Sequence, residues 1–316
     1  MSRPTRNSKT TQKSRKHAKK TWSPEQGDKQ AENGGFKAKK SRNMRPDRSK
    51  GMKQHGQISS PRANRGPKSP KQSKSEQQGQ WIWGLHAAEA ALENPRRTLH
   101  KIYMSPKCAA RLNIDPMQAI RGTKIELVEP SYIDGLLGEG AVHQGVALAC
   151  APLPVSHLDE IAKEREGLIL VLDQITDPHN VGAMFRLARA FDAKALIMQD
   201  RHAPPLFGAT AKVAVGTVES VPCVLVTNIA NTLLELQKIN WRVTGLAGEA
   251  DITLQQALTK AEAEVIVMGA EGPGLRKRVR DCCDQLAKIP MPGGTESLNV
   301  STAAAIALYE AVRSAK

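Results

Sequence analysis

Three short stretches of this chain carry side chains whose types and spacing could do chemistry, and they stand far apart in sequence. The first is Asp177-Pro-His-Asn-Val-Gly-Ala-Met-Phe-Arg186. It follows an apolar run, so Asn180 falls at a strand-to-helix turn and Arg186 in the helix. An amide at such a turn can cap the helix or hold a phosphate or ribose, and a guanidinium on the helix is a fixed planar cation. The second is Val267-Met-Gly-Ala-Glu-Gly-Pro-Gly-Leu275, where an apolar strand delivers Glu271 into a glycine-rich loop. The third is Ile289-Pro-Met-Pro-Gly-Gly-Thr-Glu-Ser-Leu-Asn-Val-Ser301. An apolar strand over 287–291 stops there at a proline and glycine turn, and Ser297, Asn299, Ser301 and Thr302 follow. Glycine and proline leave peptide groups free to meet a polar ligand, and Ser or Asn caps the next helix.

Each stretch alone has a plain structural reading: a capped helix, a tight turn with an exposed Glu, a strand–turn–helix. The glycine-rich loop lacks the GxGxxG order of a dinucleotide fingerprint, and no lysine follows it as a phosphate-binding P-loop requires. A nucleotide-dependent oxidoreductase is disfavoured on that ground.

The elements that must position these residues alternate from residue 167 onward. Strands are expected at 168–172, 195–198, 221–226, 241–247, 265–270 and through Ile289. Helices are expected at 180–191, 231–238, 254–258, 277–283 and at the C-terminus. Uninterrupted apolar strands separated by helices indicate an α/β fold, a parallel sheet covered on both faces. Ligands then sit beyond the carboxyl ends of the strands. Upstream, helices at 85–92 and 116–120 and strands at 100–104, 124–128 and 145–150 make a small α/β unit over 80–152. Segment 153–166 is a linker, partly helical. His86 and His143 are single histidines, read as packing or hydrogen-bonding residues.

Charge divides the chain. The first 80 residues hold 22 Lys and Arg against 5 Asp and Glu, a net of +17, and the other 236 hold 24 against 26, a net of −2. Residues 1–79 are poor in apolar side chains, so they cannot offset their ordering entropy by burial and are expected to be disordered. A transit peptide would need the amphipathic apolar face that this stretch lacks. A polyanion, RNA or DNA, is the expected partner of such a segment. The five cysteines show no CxxC spacing, so a reduced interior with buried thiols and no metal site is expected. No run has the length of a membrane span or a signal-peptide core.

Together the three stretches resemble motifs one, two and three of the SpoU (TrmH) methyltransferases of the SPOUT superfamily. The resemblance rests on Asp-Pro-His-Asn-Val-Gly-Ala with Arg186, on Met-Gly-Ala-Glu-Gly-Pro-Gly, and on Ile-Pro-Met with Ser-Leu-Asn-Val-Ser. Trp-Gly-Leu-His-Ala-Ala-Glu-Ala-Ala-Leu and Val-His-Gln-Gly-Val resemble the RNA-binding domain of the same family, so the likeness covers roughly residues 80–316. Phe191-Asp-Ala departs from the family, which usually has Gly after the Phe; no catalytic consequence is expected. The resemblance implies a SPOUT domain over 167–316 with a deep trefoil knot, a homodimer, a cytoplasmic location and S-adenosylmethionine as methyl donor without a metal. It implies cofactor contacts from Gly248, Gly269, Glu271, Gly272, Ile289, Met291 and Leu298. It implies methyl transfer to a ribose 2′-hydroxyl, of a guanosine in 23S ribosomal RNA, with transfer RNA or a non-catalytic ribosome-assembly role as alternatives. Guanidinium groups hold their protons, so Arg186 is assigned to binding the ribose or phosphate rather than to proton abstraction. Glu271 is expected to orient Arg186 or receive the proton, with Asn180, Ser297 and Asn299 completing the polar shell.

Overall fold

A computed structural model describes residues 80–138, 140–259, 262–294 and 297–315. The basic segment 1–79, expected to be disordered, lies outside the described residues, as do Thr295 and Glu296 of the third stretch.

The first part is built from β1 (Gln80–Trp83), α1 (Leu85–Glu93), β2 (Leu99–Met104), α2 (Pro106–Arg111), β3 (Ile125–Leu127), α3 (Pro130–Leu137) and β4 (Val146–Cys150). Its sheet runs β1-β4-β2-β3, with β4 antiparallel to both neighbours and β3 parallel to β2. Leu85, Ala88, Ala91 and Leu92 of α1 are buried, the helical spacing that seals one face against a sheet. The helix expected at 116–120 is absent; the chain turns there. Asp115 Oδ1 accepts from the Met117 amide at 3.0 Å, which favours a turn, and Arg121 and Gly122 leave helical space with φ of 49° and 79°. The helix forms earlier instead, as α2, where Ser105 caps the Cys108 amide and Pro106 takes the first turn.

After α4 (Leu158–Ala162) come β5 (Gly167–Asp173), α5 (Pro178–Ala190), β6 (Ala195–Gln199), α6 (Gly208–Ala214), a 3-10 turn (Thr217–Glu219), β7 (Cys223–Val226) and α7 (Ile229–Lys238). The chain closes with β8 (Arg242–Leu246), β9 (Ile252–Thr253), α8 (Leu254–Ala257), β10 (Ala263–Gly269), α9 (Lys277–Asp281), β11 (Gln285–Lys288) and α10 (Val300–Ala315). Every pairing in this sheet is parallel, in the order β7-β6-β5-β10-β8-β11-β9. Later strands insert between earlier ones: β10 lies between β5 and β8, and β11 between β8 and β9. Leu168, Leu170 and Leu172 of β5 pack into the core under α5 and α10, and Ile169 and Val171 into the opposite core under α7. This two-sided burial is why the strands read as continuous apolar runs.

Two contacts bear on the site. The strand expected over 287–291 ends at Lys288. Pro290 and Pro292 have no amide to extend a ladder, so Ile289 and Met291 sit in irregular backbone outside the sheet, where the Met291 carbonyl accepts from the Gly294 amide at 3.4 Å. The two sheets are joined by a buried ion pair: Arg97 Nη2 stands 2.6 Å from Glu219 Oε1, and Asn94 Nδ2 donates to Glu219 Oε2 at 2.7 Å. Among the described residues no helix is long and apolar enough to cross a membrane.

Candidate active site

Motif one begins where β5 ends. The α5 cap is Asp177, not Asn180: its carboxylate accepts from the His179 and Asn180 amides at 3.3 and 3.2 Å, and Pro178 takes the first helical position. The Asn180 side chain is thereby free, and its Nδ2 donates to Glu271 Oε1 at 3.4 Å. Gly182 serves packing, since a β-carbon there would stand 2.8 Å from the Thr210 carbonyl of α6.

Motif two is the loop after β10. It folds back so tightly that a β-carbon on Gly269 would lie 2.3 Å from the Gly274 carbonyl carbon, and only glycine fits. The Gly274 amide donates to the Ala270 carbonyl at 3.0 Å, closing the turn that presents Glu271. Its far end is fixed by Asp173, fully buried at the end of β5, which accepts from the Arg276 amide at 2.9 Å and from its Nε at 2.7 Å.

Motif three supplies the remaining partners. Asn299 Oδ1 caps α10, accepting from Ser301 N at 2.9 Å. Asn299 Nδ2 donates to Glu271 Oε1 at 2.8 Å and to Asn180 Oδ1 at 3.2 Å, and the Val300 amide donates to the same Glu271 oxygen at 3.2 Å. Glu271 Oε1 is therefore held by three donors, while Oε2 has no hydrogen-bond partner among the described residues. The expectation that Glu271 orients Arg186 is not met. Arg186 is exposed, and no hydrogen bond or ion pair engages it among the described residues. Six residues of helix carry it about 240° around the axis from Asn180.

Beside this cluster lies a pocket of about 400 Å³, within the range of small-molecule sites, roughly 300–1,000 Å³. Gly248, Gly269, Glu271, Gly272, Ile289, Met291, Ser297 and Leu298 all line it. The structure thus gathers every residue named for the cofactor around one cavity, with Asn180 and Asn299 at its rim through Glu271 and Arg186 apart. Sequence reasoning missed Glu249, Arg280 and Lys288, which also line the pocket. Arg280 Nη1 pairs with Glu249 Oε1 across it. The Glu249 backbone amide, and then the Arg280 guanidinium, hold that carboxyl below the usual carboxylate range. Nothing local in sequence links residues on β8's exit loop and α9. Among the described residues no cluster of His, Cys, Asp and Glu is placed to hold a metal ion.

A family model described as the SpoU rRNA Methylase family matches residues 167–309, and one described as RNA 2′-O ribose methyltransferase substrate binding matches 81–156. A protein of Photorhabdus laumondii named 23S rRNA (guanosine-2′-O-)-methyltransferase RlmB is 42% identical over 244 residues, 73% of this chain and 97% of that protein. The chain belongs to the SpoU rRNA methylase family. The RlmB protein of Escherichia coli K12 is 39% identical over 242 residues, again 73% of this chain and 97% of that protein. Among solved structures, the SpoU methyltransferase AviRb of Streptomyces viridochromogenes, crystallised with AdoMet, shares the fold at a TM-score of 0.63 and 24% identity, over 76% of this chain and 91% of that one. The SpoU match runs from β5 into α10 and so contains all three motif stretches and the pocket that motifs two and three line with the β8 exit loop.

Proposed function

We propose that this protein methylates a ribose 2′-hydroxyl of RNA with S-adenosylmethionine, and that its target is a guanosine of 23S ribosomal RNA. The observation that carries this reading is the convergence of the β8 exit loop and of motifs two and three on one pocket, with motif one tied to it through the Asn180–Glu271 contact, in a chain 42% identical over 97% of an RlmB protein.

The pocket suits the methyl donor. Glycine walls and the irregular backbone at Ile289 and Met291 offer peptide groups to an adenine and an amino acid end, and Leu246, Met268 and Leu298 offer apolar contact. Glu249 and Arg280 are placed to bind hydroxyl or carboxylate groups. When bound, the donor supplies a sulfonium methyl group. Transfer forms an oxygen–carbon bond at the ribose, breaks the sulfonium carbon–sulfur bond and releases the hydroxyl proton. Glu271 has one oxygen locked by Asn299, Asn180 and Val300, and the other is open to take that proton. Positioning of the two reactants against each other supplies much of the acceleration. Arg186 would engage the ribose or an adjacent phosphate.

The family resemblance further supports a knot closed by the segment β11–α10, and a homodimer. The insertion of β10 and β11 between earlier strands suits the knot. Ile306 and Tyr309, exposed on α10, give a second copy an apolar face. A ribosomal RNA substrate also supports a cytoplasmic location. Calorimetry with S-adenosylmethionine and S-adenosylhomocysteine, and ribose-methylation mapping of total RNA with and without the protein, test the reading. Binding of neither adenosyl compound would sink it, and a mapped transfer RNA nucleotide would replace the ribosomal target.

A further inference from the structure

We infer that the groove between β1 and the loop entering α6 is a stacking slot for an unpaired RNA base next to the methylated nucleotide, an inference that rests on the RNA methyltransferase reading. The groove holds about 250 Å³ and is walled by Trp81, Trp83, Pro178, Pro205 and Phe207. Side chains alternate along a strand, so Ile82 is fully buried in the core while Trp81 and Trp83 stand half-buried on the other face. Trp241, 1% exposed, is spent wholly on packing, whereas Trp81 packs only in part, against the Tyr103, Ile133 and Ala147 cluster, and both Trp81 and Trp83 keep part of their surface in the groove. Both rings are preset. Trp81 stacks on Tyr103 with centroids 6.0 Å apart, and the Trp83 ring lies against Gly208, where a β-carbon would stand 2.9 Å from it.

The occupant follows from position and charge. Pro178 opens α5 two residues before Asn180, so the groove starts at the edge of the active site. A second hollow of about 360 Å³, lined by Gln174, Thr176, Arg201 and His202, lies along the same loop and shares Ala270 and Pro273 with the cofactor pocket. Cofactor pocket, this second hollow, walled also by Leu172, Ile175 and Met198, and aromatic groove thus follow one another along the loops after β5 and β6. A strand whose ribose meets Glu271 would lay a neighbouring base between the tryptophans. Lysines flank the rings: Lys101 Nζ is 6.0 Å from the Tyr103 centroid, and Lys212 Nζ is 2.9 Å from Gln144 Oε1, beside Gly84. They complement the phosphates of such a strand. β1 also opens the segment that matches the substrate-binding model. Single-stranded RNA is recognised by stacking of unpaired bases on aromatic side chains, with basic groups along the backbone.

The test uses the full chain and a uridine hexamer, followed by tryptophan fluorescence, with an abasic hexamer measuring the phosphate contribution alone. The uridine strand is expected to quench and the abasic strand not. Trp83→Ala should weaken hexamer binding about tenfold, and Trp83→Phe should recover most of it, with S-adenosylmethionine affinity and melting temperature held. A hexamer carrying 4-thiouridine should crosslink to peptides containing Trp81, Trp83 or Phe207. Equal quenching by the abasic strand, unchanged affinity in Trp83→Ala, or crosslinks confined to other peptides would each overturn the slot. Methyl transfer is read separately. A protein that stacks the hexamer here but methylates no RNA would refute the catalytic reading and uphold the slot.

Discussion

Glu271 is an exposed carboxylate with one oxygen fixed by Asn299 Nδ2 at 2.8 Å and the Val300 amide at 3.2 Å. Arg186 owes nothing to that cluster. Because no described side chain pairs with it, Arg186→Ala should shift stability by no more than about 0.5 kcal/mol. It should still lower methyl transfer by about 10²–10³-fold, the usual loss when a charge-stabilising group is removed. Arg186→Lys should fail too, since a point charge does not replace a planar fork. Single-turnover transfer and thermal melting check both; near-normal turnover in Arg186→Ala would remove it from the mechanism. Gly248 has nothing within 4 Å of an added β-carbon, yet it lines the pocket. Gly248→Val should therefore fold normally and lose S-adenosylmethionine binding by at least about tenfold, the effect of a branched side chain intruding on a ligand site. Calorimetry showing parent affinity would mean that the cofactor does not approach this wall.

At the scale of elements, caps and breakers set where the functional groups fall. Asp177 with Pro178 starts α5 and releases Asn180; Pro290 stops β11 and releases Ile289. The Asp192 departure from the family has a local cause. Asp192 adopts φ of 53° at the end of α5, and the Ala193 amide returns to the Ala188 carbonyl at 2.8 Å, the closure in which glycine is favoured and Asp tolerated. It lies at the opposite end of the helix from Asn180. The joint between the sheets is a stronger device. Arg97 is 1% exposed and Glu219 8%, so Arg97→Ala would leave a buried carboxylate without its cation. A loss of about 3–5 kcal/mol is expected. Urea unfolding of the variant measures it, and an unchanged midpoint would mean that the pair is idle.

At the scale of the whole molecule, the buried Cys150 thiol, the half-buried Cys223 and Cys283 thiols and the basic segment act on different variables. Burial pushes Cys150, Cys223 and Cys283 up to about 12 from an ordinary value of 9.0. These thiols keep their protons in the folded chain at pH values where the unfolded chain releases them. The raised folded values therefore make stability fall as pH rises from about 9 toward 12, with the full contribution present below 9. Denaturant titrations at pH 8 and pH 10 should show the lower midpoint at pH 10; the reverse order would contradict the sign. The 22 basic side chains of the first 80 residues can touch many phosphates, and phosphate contacts carry no sequence information. A chain starting at residue 80 should lose RNA affinity less steeply with added salt and methylate the same nucleotide. Equal salt slopes would make the segment a bystander, and a changed site would give it a part in selection.

The sequence by itself determined the alternation of strands and helices, because apolar runs, caps and prolines act over a few residues. It fixed the chemistry on offer in the three motif stretches and the charge split for the same reason. It did not separate the turn at 116–120 from a helix, since the positive φ at Arg121 and Gly122 cuts the segment short. It could not tell that Glu271 would bind Asn180, 91 residues away, rather than Arg186. Nor could it find the Arg280–Glu249 pair or the Arg97–Glu219 joint, 122 residues apart. Such partners are chosen by strand order. β10 and β11 insert between strands laid down earlier, and that insertion brings the ends of distant segments to one edge of the sheet. Local periodicity holds no record of which strand will lie beside which, so only the tertiary structure decided what Glu271 touches.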